Sequence, residues 1–217
     1  VAVPGSKSVA VCDDVVVLLI QVSLGMAATD VAPTRLDAAQ RAGKAFADSL
    51  PPKTQLGLIS FSATAVTQVA PTTDRGSVKT ALDRLMLNAG NATGEGILTA
   101  VQAIDALRDI GLAPGSKRII LVQGSRQSVP AGLDDPRGAY PAAREANLRH
   151  IPISAIALGT AQGKIEIEPD NGGPTPVPVP VDQTSLREIA KLSGGSFHTA
   201  TNLAELTGAF AELTCHR

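Results

Sequence analysis

The amino-acid sequence predicts an α/β fold of three layers. Its central sheet is doubly wound and mostly parallel, with one antiparallel edge strand and a proline-rich hairpin insertion. Three observations lead there. Short aliphatic runs alternate with segments of helical periodicity, the pattern of βα units. Val15-Val16-Val17-Leu18-Leu19-Ile20 is apolar at every position, as a strand covered on both faces must be. Prolines then fall at alternate positions in Val177-Pro178-Val179-Pro180-Val181. Proline has no N–H to give to a ladder, so residues 164–181 fit only an exposed hairpin or edge ribbon.

The remaining elements follow in order. Thr34 offers an N-cap with Asp37 three residues on, and Leu36, Ala39, Gly43, Phe46 and Leu50 recur at helical spacing until Pro51-Pro52 stops the helix. Gln55 to Phe61 and Thr64 to Val69 read as two tightly joined strands, hence an antiparallel hairpin. Asp74 opens a short helix with Val78, Ala81, Leu82 and Leu85 inward. Thr93 begins a longer helix with Ile97, Val101, Ile104 and Leu107 inward and Gly111 as its C′ residue. Lys117 to Gln123 is a second central strand, followed by a Gly-, Pro- and Asp-rich loop over 124–138. Tyr140 to Arg149 is a helix with Pro141 in its first turn, and Pro152 to Leu158 is a strand. Beyond the ribbon, Asp182 to Leu192 is a helix ended by Gly194-Gly195, and Ser196 to Thr199 a short strand. Asn202 caps a last helix with Glu205 in its first turn and Leu203, Leu206, Phe210 and Leu213 inward. No repeat and no long linker divides the chain, which implies a single domain over 1–217 with its core from about 13 to 214.

Composition narrows the function. The 217 residues hold 19 Lys and Arg against 20 Asp and Glu, and this balance argues against nucleic acid or an anionic membrane as partner, since such binders rely on a basic excess. Aromatics make up 2% with no Trp, which removes the stacking platforms of single-strand binders. Val15 to Ile20 is far shorter than the ~18 residues that span a bilayer, so no insertion by this segment is expected. Two cysteines and the scattered His150, His198 and His216 lack structural-zinc spacing. No G-x-S-x-G or G-x-G-x-x-G is present. Thr93-Gly94-Glu95-Gly96 at a helix start is better read as ordinary capping than as a phosphate cradle.

In an open α/β sheet, ligands bind beyond the carboxyl ends of the strands near the switch in strand order. That points to Gln21 to Met26, Asn91 to Gly94 and Gln123 to Gln127. These loops also carry a resemblance. Ile20-Gln21-Val22-Ser23-Leu24-Gly25-Met26, Ala28-Thr29-Asp30-Val31-Ala32-Pro33-Thr34-Arg35, Ala92-Thr93-Gly94-Glu95-Gly96-Ile97, Gly138-Ala139-Tyr140 and Leu192-Ser193-Gly194-Gly195 resemble the von Willebrand factor type A (VWA) domain family. The likeness runs from about Val15 to Leu213 and is greatest to bacterial, notably actinobacterial, members of the aerotolerance-operon kind. It implies a Rossmann-like VWA fold, a protein-binding role, and a metal-ion-dependent adhesion site. That site is written Asp-x-Ser-x-Ser after the first strand, with a distant Thr and a second Asp after the fourth strand, and a partner carboxylate completes the coordination of Mg²⁺.

Carried over residue by residue, the motif is degenerate here. Gln21 stands for the first Asp, Ser23 matches the first Ser, Gly25 replaces the second Ser, Thr93 matches the Thr, and the second Asp falls at Gly124. Mg²⁺ sheds water reluctantly and is usually held through one or two carboxylates, so no metal and no other cofactor is expected. Asp30 and Glu95 are the nearest acidic candidates to substitute, and Glu95 suits a helix N-terminus without any metal. The resulting expectation is a non-enzymatic protein–protein interaction domain with no catalytic residues. Another protein would bind a rim of Gln21, Ser23, Leu24, Gly25, Met26, Thr93, Gly124, Ser125 and Arg126, with Leu24 and Met26 supplying exposed apolar contact. Two alternatives stay open: the ribbon 164–181 is the contact surface, or the chain is a small-molecule or redox enzyme on an open α/β sheet.

In the VWA family the two chain ends lie close together, and some extracellular members staple them. The resemblance therefore implies a Cys12–Cys215 disulfide, the alternative being two unrelated cysteines. With the bond, the domain would work outside the reducing cytosol, at a cell surface, wall or periplasm-like space, tethered to a membrane by helices outside this segment.

Overall fold

The computed structural model describes residues 12–111 and 115–215; the first eleven residues and His216 lie outside them. The strands are β1 (Val15–Gln21), β2 (Gln55–Phe61), β3 (Ala65–Thr72), β4 (Lys117–Gln123), β5 (Ile153–Leu158), β6 (Lys164–Ile167), β7 (Thr175–Pro178) and β8 (Phe197–Ala200). The helices are α1 (Arg35–Ser49), α2 (Arg75–Asp83), α3 (Thr93–Asp109), α4 (Ala139–Leu148), α5 (Gln183–Ser193) and α6 (Leu203–Glu212), with a 3₁₀ turn at Leu24–Ala27.

Among the described residues, six strands form one sheet in the order β3-β2-β1-β4-β5-β8, and β6-β7 pair as a separate hairpin. All pairings in the large sheet are parallel except β2 with β3. The unbroken apolar run of β1 is explained by its place: it has a parallel neighbour on each side and a helical layer on each face. Val16, Leu18 and Ile20 join one core with α1, α2 and α6, where Phe46 stacks on Phe210 at 4.9 Å. Val15, Val17 and Leu19 join the other core with α3, α4 and α5. The doubly wound, mostly parallel sheet with one antiparallel edge is the architecture read from the sequence.

Local signals hold at the helix starts. Thr34 Oγ1 accepts from the Asp37 amide, Asp74 Oδ1 from Gly76 and Ser77, and Asn202 Oδ1 from Glu205, each cap stabilising its helix by about 1 kcal/mol. β3 runs to Thr72, beyond the expected Val69, and so includes Pro71. An edge strand tolerates that residue, and the register shifts around Leu56 and Leu58 accommodate it. Cys12 and Cys215 are disulfide-bonded, 203 positions apart in sequence with Cα atoms 4.3 Å apart. No helix among the described residues is long and apolar enough to cross a membrane.

One feature that fixes the upper end of the sheet had no sequence signature. Arg35, in the first turn of α1, is fully buried. Its Nε and Nη2 donate to Asp30 Oδ1 and Oδ2 at 2.8 and 2.7 Å, and Nη2 also donates to the Val179 carbonyl at 2.9 Å. Asp30 in turn accepts from the amide and hydroxyl of Thr160. One ion pair thus clamps α1, the loop after β5 and the proline-rich ribbon together.

Candidate functional site

Strand order switches between β1 and β4: the chain adds β2 and β3 on one side of β1, then returns to place β4 on the other. Gln21 ends β1 and Gln123 ends β4, so both side chains reach the crevice where ligands of this architecture bind. Gln21 uses both ends of its amide. Its Oε1 accepts from the amides of Gly124 (2.8 Å) and Ser125 (3.2 Å), while its Nε2 donates to the Ser125 carbonyl (3.2 Å) and Oγ (3.1 Å). Gln123 Nε2 donates to the same carbonyl at 2.8 Å. Asn91 Nδ2 donates to it as well, also at 2.8 Å, and to the Arg126 carbonyl. Thr93 Oγ1 gives its proton to Gln123 Oε1 at 3.0 Å. Ser23 Oγ lies 3.4 Å from Ser125 Oγ. Gln127 closes the ring, with Oε1 accepting from the Gly94 amide and Nε2 donating to the Pro130 and Gly132 carbonyls.

Gln21, Ser23, Asn91, Thr93, Gln123 and Gln127 are all buried, and buried polar groups persist only when paired. Here each amide pairs with main chain or with another neutral side chain. Gly94 permits the closure: a Cβ on it would sit 2.0 Å from the Arg137 carbonyl, so only glycine lets the loop after β4 lie against the start of α3.

This donor set does not fit Mg²⁺. The oxygens that would face a cation, Gln21 Oε1 and Gln123 Oε1, already accept hydrogen bonds and carry no charge, whereas Mg²⁺ demands carboxylate and water oxygens in an octahedron. The two nearby carboxylates are engaged elsewhere. Burial works to raise the Asp30 pKa, but the hydrogen bonds from Arg35 and Thr160 and the Arg35 charge outweigh it, and the carboxyl is held below the usual range. Glu95 is likewise lowered, chiefly by its hydrogen bonds from Arg137. No group of three or more His, Cys, Asp or Glu among the described residues could hold a metal ion.

The structure brings Gln21, Ser23, Thr93 and Ser125 together as the loop spacing implied, and corrects two placements. Gly124 contributes only its backbone, because a Cβ there would point at Arg35 Nη1 (2.8 Å) and away from the pocket. The side chain beside Thr93 is that of Gln123. Met26 is 0% exposed and packs in the core, so it offers no surface contact; the 3₁₀ turn rotates it inward while leaving Leu24 46% exposed. Gly25 is buried, and a Cβ on it would meet Ser125 Oγ at 2.9 Å, so its lack of a side chain admits Ser125 to the network. The accessible rim is Leu24, Arg126 and part of Ser125. Exposed Val129 and Met86 flank it, Val129 through its amide on the Asn91 carbonyl and Met86 two residues before Asn88, which bridges Ser23.

Sequence reasoning missed Asn91, Gln123 and Gln127 as network members, although all three lie in the loops it selected. It also missed the surroundings of His198, whose Nε2 is 2.9 Å from Ser196 Oγ and whose Nδ1 is 3.4 Å from Glu212. The adjacent amides of Gly194 and Gly195 already donate to Lys191 and Ala190 carbonyls at the end of α5, and Ser196 Oγ is also bonded to Ser154 Oγ.

Comparison with known proteins agrees with this geometry. A family profile described as the von Willebrand factor type A domain matches residues 16–125. A "UPF0353 protein" of Nocardia farcinica is 48% identical over 206 residues, covering 91% of this chain and 61% of the relative. One from Mycolicibacterium gilvum is 47% identical over 202 residues, covering 92% and 59%. The chain thus spans about three fifths of the length of these relatives. Among solved structures, the conserved hypothetical protein BatB from Bacteroides thetaiotaomicron superposes with a TM-score of 0.73 at 24% identity, covering 92% of this chain and 98% of that one. An aerotolerance-related membrane protein from Bacteroides fragilis gives 0.75 at 21% identity with the same coverage; at these identities the likeness is one of fold. With the profile, the sheet order and the crevice between β1 and β4 in agreement, the chain belongs to the von Willebrand factor type A domain family.

Proposed function

We propose that this chain is a non-enzymatic protein-interaction domain that binds its partner through the rim above β1 and β4 without a bridging metal ion. The observation that carries the reading is the substitution of charge by amide. Gln21 and Gln123 stand where a metal-dependent site needs carboxylates, and both are committed to the Ser125 loop. A partner then gains affinity from the exposed Leu24 and Val129, from Arg126, and from shape, and apolar or charged anchors of this kind commonly dominate interfaces. The ribbon borders this rim, since β6 lies against the Leu24–Ala27 turn and Val179 Cβ is 3.6 Å from the Cβ position of Gly25. Residues 1–217 act as one unit in this reading. The Cys12–Cys215 bond supports a site of action outside the reducing cytosol, and the membrane-protein relative supports tethering by segments beyond this chain.

Thermal denaturation in EDTA and then in excess Mg²⁺ or Mn²⁺ tests metal independence. A ligand at 100 times its Kd stabilises by about 2.7 kcal/mol, so coincident melting curves are expected, and a saturable rise in Tm would overturn the reading. Leu24→Asp and Arg126→Ala are expected to weaken capture of the partner while leaving Tm unchanged, because neither side chain is part of the buried network. Undiminished capture by both variants would move the interface elsewhere.

A further inference from the structure

The β6-β7 hairpin has two edges that differ in chemistry. Its register pairs Lys164 with Pro178, Ile165 with Val177, Glu166 with Pro176 and Ile167 with Thr175. The Val179 amide donates to the Gly163 carbonyl at 2.8 Å. In an antiparallel strand the N–H and C=O of one residue point the same way and alternate along the chain, so residues 163, 165 and 167 turn their main-chain groups toward β7, and 164 and 166 turn theirs outward. The same parity places Pro176 and Pro178 on the outer edge of β7, where they have no N–H to offer. One edge is therefore blunted by proline, and the other is a free ladder. Lys164 and Glu166 are exposed, and among the described residues neither side chain has an ionic or hydrogen-bonding partner.

We infer that the outer edge of β6 pairs with β6 of a second copy of this chain, antiparallel about a two-fold axis through Ile165. The charge pattern selects that occupant and that register. A two-fold at Ile165 sets Lys164 opposite Glu166 of the second copy, and Glu166 opposite its Lys164, forming two ion pairs between the very residues whose main-chain groups face outward. Ile165 meets its own copy in the close non-hydrogen-bonded pairing, and the paired stretch is confined to residues 164–166, because Gly163 is buried against Arg35 and Asp30. A two-fold at Glu166 would set Lys164 opposite Glu168 of the second copy, but it places two like charges opposite each other at the axis itself, which destabilises a cross-strand pair. The product is a four-stranded sheet, β7-β6-β6-β7, more stable than a two-stranded hairpin alone. The contact is small, so the dimer is weak and concentration-dependent. It does not depend on the rim proposed above.

Sedimentation velocity over a dilution series of the 217-residue chain tests this, with Tm measured for each variant. A reversible dimer is expected. Lys164→Glu and Glu166→Lys each turn both pairs repulsive and should weaken it about tenfold, whereas the double exchange K164E/E166K should restore it. Glu166→Pro removes an outward N–H that the hairpin does not use, and should abolish the dimer without lowering Tm. Glu168→Lys, opposite Gln162 in this register, should leave it unchanged. A chain that stays monomeric at every concentration, a dimer that survives Glu166→Pro, or a double exchange that fails to rescue overturns the inference.

Discussion

Asp30→Asn is expected to lower stability by about 3 kcal/mol, seen as a fall of roughly 10 °C in Tm. The substitution keeps the shape of the side chain but leaves the Arg35 guanidinium, which is fully buried, without a countercharge. Removing one member of a buried pair costs more than the pair contributes, because the survivor stays desolvated and alone. The dependence on acidity follows from the lowered Asp30 pKa. A carboxyl held below its unfolded value stabilises the fold fully above the ordinary carboxylate range, and that contribution disappears as pH falls through the lowered folded value. The gap between wild type and Asp30→Asn, measured by urea denaturation, should therefore be widest near neutrality and close in strong acid. Replacing both partners, Asp30→Asn with Arg35→Met, should recover part of the loss. Equal midpoints for wild type and Asp30→Asn at neutral pH would show that the clamp contributes nothing.

Loss of the Cys12–Cys215 bond is the second large effect. The two cysteines are 203 positions apart, and a closed loop of that length restricts the unfolded chain by about 5 kcal/mol in the chain-entropy model, with 2–5 kcal/mol typical on removal. Cys12→Ser with Cys215→Ser should lower the urea midpoint and steepen the transition, since an unstapled chain exposes more surface on unfolding. Reductant added to the wild type should reproduce the shift and leave the double variant unaffected. Identical midpoints with and without reductant would mean that the bond does not constrain the unfolded chain.

Most of the fold was legible because its signals are local. The apolar run of β1, the caps at Thr34, Asp74 and Asn202, and the proline alternation in the ribbon each act within a few residues, and each keeps its meaning in the structure. The register of the candidate site was less legible, because it depends on which way a backbone faces at one point. Gln123 and Gly124 are adjacent, yet one side chain enters the pocket and a Cβ on the other would strike Arg35; no property of either residue decides that. Met26 illustrates the same difficulty, since a single 3₁₀ turn sends Leu24 outward and Met26 into the core. The Arg35–Asp30 clamp joins residues close in sequence to the carbonyl of Val179, 144 positions away, and only the folded chain brings them together.

The disulfide lies at the end of the sheet where β1 begins, and the polar crevice at the end where β1 and β4 finish, a strand length of about 20 Å apart. A pull applied between the two cysteines is carried by the covalent bridge and bypasses the intervening sheet and helices. Tension applied at the two cysteines would therefore pass the domain by, and could not unthread the strands that hold the rim in shape.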